Sequence, residues 1–169
     1  GLVCHEAVGH GFAKLDDEYV LEGMGRMPVD EVTYREQREA FGWYKNTDVY
    51  SSVHFVKWKE LLKDRRYTSA GLGVFEGAST YAYGVYRPTD QSGMNKNEGG
   101  FNAPSRESIY YRIHKLAYGK EWHYSVDVFK EYDYINFIGA TACIVENGID
   151  NPYVLFEDAG WFHGLKLFR

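Results

Sequence analysis

The sequence predicts an α/β chain of one domain over residues 1–169, in which a histidine-bearing helix at the N-terminus leads into a largely helical remainder. Three observations carry that expectation. The run His5-Glu6-Ala7-Val8-Gly9-His10 stands almost at the start and is followed at once by Leu15-Asp16-Asp17-Glu18-Tyr19. Helix starts then recur at Pro28-Val29-Asp30-Glu31 and Pro104-Ser105-Arg106-Glu107. Between them residues 71–86 are rich in glycine and aromatics, the composition of irregular chain or short strands approaching a cleft. A chain of 169 residues is long enough to bury a real core, and 44% hydrophobic with 25% charged residues is ordinary for a globular chain. No apolar run approaches the length needed to cross a bilayer, and a formal net charge of −5 argues against a nucleic-acid partner.

The first element carries the chemistry. Zinc-binding helices usually space two histidines four apart, which puts both imidazoles on one face with a glutamate beside the water on the metal. Here the spacing is five. At about 3.6 residues per turn that swings the second imidazole away from the first. A π-bulge at Val8-Gly9 absorbs the extra residue, and Gly9 has no side chain to obstruct it. A zinc ion between His5 and His10 then requires a third protein ligand and an open position. Asp16, Asp17 and Glu18 follow within reach, Glu76 is a distant alternative, and spacing alone does not choose among them. Residues 11–15 must end the helix and turn the chain back toward the metal. Glu6, next to His5, is the expected general base. Because a ligating imidazole usually donates its other N–H, Asp16 or Glu18 is expected to accept from it.

Residues 23–28 read as a loop, and residues 31–43 as a helix whose apolar positions are Val32, Tyr34, Ala40 and Phe41. A second helix is expected over residues 56–65. Residues 91–100 read as loop, and a helix from Pro104 to about Ala117 has Ile109, Ile113 and Leu116 as its apolar stripe. From Trp122 onward, Val126-Asp127-Val128 and Ala140-Thr141-Ala142-Cys143-Ile144-Val145 suit strand and buried helix alike. The 15 Tyr, 10 Phe and 4 Trp are the compositional outlier, and Tyr81-Ala82-Tyr83-Gly84-Val85-Tyr86 and Tyr132-Asp133-Tyr134 line a cleft or fill a core. Cys4 and Cys143 permit one disulfide without implying it, and Cys4 is expected as a free thiol buried against the first helix. His54, His114, His123 and His163 lack ligand-like spacing and read as surface or satisfied core residues.

The pattern His-Glu-x-x-Gly-His, a five-residue gap from His10 to Leu15 and then x-Asp-Glu-Tyr, resembles the IgA-peptidase family of bacterial zinc metallopeptidases. The aspartate shared by that family's Leu-x-Asp-Glu-Tyr run falls here on Asp17, so the resemblance implies His5, His10 and Asp17 as zinc ligands. The same histidine spacing appears in dipeptidyl peptidase III, whose further motifs find no match in this chain. Tyr86-Arg87-Pro88-Thr89-Asp90-Gln91-Ser92-Gly93-Met94-Asn95 is similar to the family's segment through a Met-turn, which implies Met94 as an apolar floor beneath the ligands. The small residues of Ser92-Gly93-Met94 suit a tight turn, and Pro88 fixes the approach. Some metzincins place a tyrosine two residues after that methionine. Position 96 is lysine, and the oxyanion donor stays open among Tyr86, Arg87, Arg106, Tyr110 and Tyr111.

The resemblance implies an α/β zincin-type metalloprotease fold, metzincin-like, of which this chain is mostly the active-site helix and the largely helical C-terminal subdomain. With four residues before His5, the N-terminal twisted sheet of such domains is expected to be missing from this stretch. The implied activity is that of a zinc-dependent endopeptidase with Glu6 as base, acting on protein or peptide, a host glycoprotein among the candidates, and secreted or on the cell surface. The alternative is a module of the same fold that keeps its metal and binds glycan or host protein without cleaving it. An intact Glu6 favours the enzyme.

Overall fold

In the computed structural model of the chain, residues 1–97 and 100–138 are described. The chain divides into two compact units, Gly1–Tyr124 and Ser125–Arg169. The first opens on the helix Cys4–Ala13, which is a π-helix over its whole length rather than an α-helix with one bulge at Val8-Gly9. Ten residues in that state are unusual, since π turns mostly occur singly and at functional sites. The helix ends where Lys14 takes a left-handed conformation (φ 58°, ψ 36°) and its N–H bonds the Gly9 carbonyl.

Helix α1 spans Val29–Glu39, ending four residues before the expected Trp43 because the chain turns at Gly42 with φ 82°. Its buried residue is Arg35, while Phe41 beyond its end is exposed. The helix expected over residues 56–65 is two short ones, α2 (Lys59–Leu62) and α3 (Arg65–Ser69), divided at Asp64, whose side chain accepts from the Arg66 N–H and caps the second. Strands β1 (Phe75–Ala78) and β2 (Tyr81–Arg87) form an antiparallel hairpin pairing Phe75 with Arg87 and Ala78 with Tyr81, with a bulge between Glu76 and Ala78. Within the stretch expected as loop, Gly93–Lys96 forms a helical turn, α4, capped by Ser92. Helix α5 (Ala103–Tyr118) starts beside Pro104 as expected, with Asn102 as its cap, and runs into a short 3-10 turn, Gly119–Glu121.

Two small clusters of buried residues among those described lie in this unit. Met27, Ala78 and Val85 pack with Val32, Val49 and Tyr81. Ala13, Leu15 and Met94 pack with Phe12, Phe101 and Ile109, joining the first helix, α4 and α5. The expected α5 stripe is only partly used. Ile113 and Leu116 are exposed, because the helix meets its neighbour through the small residues Ser105 and Ser108, the latter bonding the Ala13 carbonyl at 3.2 Å.

In the second unit Ser125 caps helix α6 (Val126–Asp133), which continues into a π-helical turn, Tyr134–Ile138. Val126-Asp127-Val128 is therefore helical. Tyr132 and Tyr134 are exposed and Asp133 between them is buried, so this aromatic pair fills no core. Ala140 to Val145, Cys143 within them, and His163 lie outside the described residues. Among the described residues no helix is long and apolar enough to cross a membrane.

Candidate metal centre

A π-helical turn brings residues five apart into line, and that is the relation of His5 to His10. Their Nε2 atoms face each other at 3.1 Å. The reversal at Lys14 then carries the chain back across the helix. Asp17 arrives with Oδ1 2.9 Å from His5 Nε2 and 3.2 Å from His10 Nε2. Each imidazole is fixed from behind by a backbone carbonyl. His5 Nδ1 donates to Gly93 O and His10 Nδ1 to Leu15 O, both at 2.9 Å. A carbonyl can only accept, so the proton of each neutral ring sits on Nδ1 and the Nε2 lone pairs point inward. The expected carboxylate acceptors, Asp16 and Glu18, are not the partners of these rings.

Two lone pairs and a carboxylate oxygen converging on one point repel each other unless a cation or proton lies between them. The triangle of 2.9, 3.1 and 3.2 Å is close to the separation of about 3.3 Å expected between ligands about 2.0–2.1 Å from a tetrahedral zinc. Among the described residues these three form the His, Cys, Asp and Glu group close enough to share one ion. In the protonated alternative, the hydrogen bond to Asp17 pushes His10 up to about 9 against the opposing effect of burial, with the Leu15 carbonyl and the charges of Asp17 and Glu6 adding to it. Burial pushes the Asp17 carboxyl up, but hydrogen bonds and charge from His10 and His5 outweigh it and hold the group below its ordinary value.

Met94 lies under the helix, fully buried. A Cβ placed on Gly9 would stand 2.4 Å from its sulfur, so Gly9 serves close approach to Met94 rather than freedom of the helix backbone. The same turn supplies the Gly93 carbonyl that holds His5.

The other candidates have different work. Asp16 takes Arg35 Nη1, Ser79 Oγ and Thr47 Oγ1 on one oxygen, the last at 2.7 Å, in a network buried beside α1. Glu76 is exposed on the hairpin, accepting from the Gly84 N–H at 3.0 Å. Of the expected oxyanion donors, Arg87 binds the Glu76 and Gly77 carbonyls, Arg106 binds the Phe101 carbonyl, Tyr86 reaches Glu76, and Tyr110 and Tyr111 pack against Trp122. Glu6 is exposed on the open side of the helix, within electrostatic reach of His10 and Tyr19. Cys4 is exposed, contrary to the burial expected, because the buried face of this helix is that of His5, Gly9 and Ala13. His54 and His123 are at the surface, and His114 is satisfied by the Tyr110 carbonyl and stacked on Trp122. Tyr81 packs in the hairpin core while Tyr83 is exposed.

Two residues of the acidic run have roles the spacing did not reveal. Tyr19 lies with its ring 6.5 Å from that of His5 and close to Asp17; burial first, and then the negative charges of Asp17, Glu6 and Asp16, raise its phenol above the ordinary value. Glu18 is fully buried, pushed up to about 7 by burial against hydrogen bonds from Ser92, Asn46 and Asn102. The tyrosine of the Leu-x-Asp-Glu-Tyr run was the available signal for the first. Nothing in spacing marks the second. No family model matches the chain, and no curated protein matches it.

Proposed function

We propose that this chain carries the catalytic centre of a zinc-dependent peptidase, with His5, His10 and Asp17 as ligands, Glu6 as general base, and protein or peptide as substrate. The observation that carries the reading is the inward-facing triangle of two imidazole lone pairs and a carboxylate, each ring pinned from behind by a carbonyl. Bound zinc supplies Lewis acidity, making a water acidic near neutrality and polarising a peptide carbonyl. The chain's own groups do the rest. Glu6 follows His5 directly, is exposed and lies within electrostatic reach of His10, so with zinc bound its carboxylate would take the proton from the attacking water and return it to the departing amine. Tyr19, which keeps its phenolic proton beside Asp17, is the donor we assign to the developing oxyanion, in place of the five candidates engaged elsewhere. The Gly93 carbonyl keeps the His5 ring aimed at the metal position, and Met94 packs against the same helix at Gly9.

The test is cleavage of a mixed peptide library with and without a zinc chelator, beside elemental analysis of the purified protein. Cleavage is expected only with metal present. Glu6→Gln is expected to retain zinc and lose about 10²–10⁴-fold in kcat, and Tyr19→Phe about 10²–10³-fold with its zinc intact. A Glu6→Gln variant as active as the parent removes the base from the reading. Zinc bound in stoichiometric amount, with no cleavage of any peptide, favours the non-cleaving module.

A further inference from the structure

Glu18 follows Asp17 directly and ties that run to the Met94 turn, to Asn46 and to the residue that caps α5. Its backbone N–H donates to the Met94 carbonyl at 2.8 Å. Its carboxylate accepts from Ser92 Oγ at 2.6 Å, from Asn46 Nδ2 at 2.8 Å and from Asn102 Nδ2 at 2.8 and 3.0 Å. Each of these partners is itself committed in a way that leaves it only as donor toward Glu18. The Asn102 carbonyl oxygen caps α5 through Ser105 N and Oγ. The Asn46 carbonyl oxygen takes the Asp16 N–H at 2.8 Å. Ser92 Oγ accepts from the Met94 N–H, which leaves its own hydrogen for Glu18. A buried site lined wholly by donors needs an acceptor at both oxygens, which a carboxylate provides and an amide does not.

The bonds run between parts of the centre that are far apart in sequence. Asp17, the residue before Glu18, faces the two imidazoles; Gly93, the residue before Met94, holds the His5 ring. We propose that Glu18 is a positioning residue for the metal centre, whose carboxylate locks the Asp17 run to the Gly93-Met94 turn before an ion arrives, so that it sets the affinity for zinc. This rests on the reading of His5, His10 and Asp17 as zinc ligands.

The experiment measures zinc affinity of the whole chain by competition with a chromophoric chelator, at a temperature where circular dichroism shows each variant folded. The variants are Glu18→Gln, Ser92→Ala, and as a control for plain loss of stability Val85→Ala in the hairpin core, well removed from the ligands in sequence. Glu18→Gln is expected to bind zinc about 10–100-fold more weakly than the parent, with an altered visible spectrum when cobalt replaces zinc. Ser92→Ala should fall between. Val85→Ala should lower the melting temperature and leave zinc affinity unchanged. Glu18→Gln binding within about threefold of the parent, less than the loss typical of such groups, overturns the proposal, as does an equal loss in Val85→Ala. If Glu18→Gln does not fold, Ser92→Ala decides by the same threshold, and if neither folds Glu18 holds the fold rather than the site and the proposal is wrong. A parent that binds no zinc removes the ligand reading and the proposal together, whereas a parent that binds while Glu18→Gln binds equally removes the proposal alone.

Discussion

Asp16 and Asp17 are neighbours with opposite surroundings. Asp17 turns its carboxylate to two imidazoles at the open side of the helix, whereas Asp16 turns inward to Arg35, whose guanidinium also donates to Thr47 and Ser79 and lies over the Tyr44 ring. Arg35 is almost wholly buried, and its charge is met by Asp16, with the Glu39 carboxylate 3.4 Å away on its other side. Removing one partner of a buried pair leaves an uncompensated charge, which costs about 3–5 kcal/mol. With Glu39 still paired to Arg35, Asp16→Ala is expected to lower the unfolding free energy by no more than that and to keep its zinc once folded. Asp17→Ala is expected to lose most zinc affinity and, without metal, to unfold close to where the parent does only near pH 9, where His10 no longer gains from the Asp17 carboxylate. Denaturant melts and a zinc titration on both variants separate the two outcomes, and a reversed pattern would make Asp16 the ligand.

At the scale of the element, the wide helix and the methionine beneath it are one device. Gly9 lets the Met94 sulfur approach the helix backbone more closely than any side chain would permit. Gly9→Ala therefore forces one of the two apart, and overpacking of this kind costs about 1–3 kcal/mol. Met94→Ala removes a fully buried side chain at about 2–5 kcal/mol. The space it opens accepts the new methyl group, so the double variant is expected to be less destabilised than the sum of the two single ones. Simple additivity in thermal or urea melts would mean that Gly9 and Met94 do not press on each other. This pairing also shows what the sequence disclosed. That His5 and His10 belong together was legible, because metal chemistry draws on few residue types and constrains their spacing; Asp17 was singled out from its neighbours only by the family resemblance. The start of α5 was legible from Pro104 and its surroundings. The full π-helix was not, since an inserted residue can be absorbed by one turn or by several. The reversal within residues 11–15 was legible, but not that Lys14, a left-handed residue that is not glycine, would make it. The contact of Gly9 with Met94 and the bonds of Ser92 and Asn102 to Glu18 join residues more than seventy positions apart, and periodicity does not report such pairs. The α5 stripe misled because Ser105 and Ser108, polar but small, allow closer packing than the leucine and isoleucine beyond them.

For the molecule as a whole, the ligand set makes stability, metal and pH interdependent. In the metal-free chain the Asp17 carboxylate raises His10 from 6.5 to about 9. A group whose value is raised on folding stabilises fully below its unfolded value and loses that contribution as pH rises through the folded one. His10 therefore favours the metal-free fold below pH 6.5 and ceases to do so by about pH 9. The melting temperature of the metal-free protein is accordingly expected to fall as pH rises from 6.5 to 9. Zinc must displace the His10 proton, so its affinity rises by about tenfold per pH unit over the same interval for one proton released. The melting temperatures of the zinc-loaded and metal-free protein should thus diverge steadily with pH when free zinc is held fixed, by an amount set by the ratio of free zinc to its dissociation constant. Calorimetry across this range, beside zinc titrations at each pH, measures both slopes. A metal-free melting temperature that climbs toward pH 9, or a zinc affinity indifferent to pH, would show that His10 does not exchange a proton for the metal.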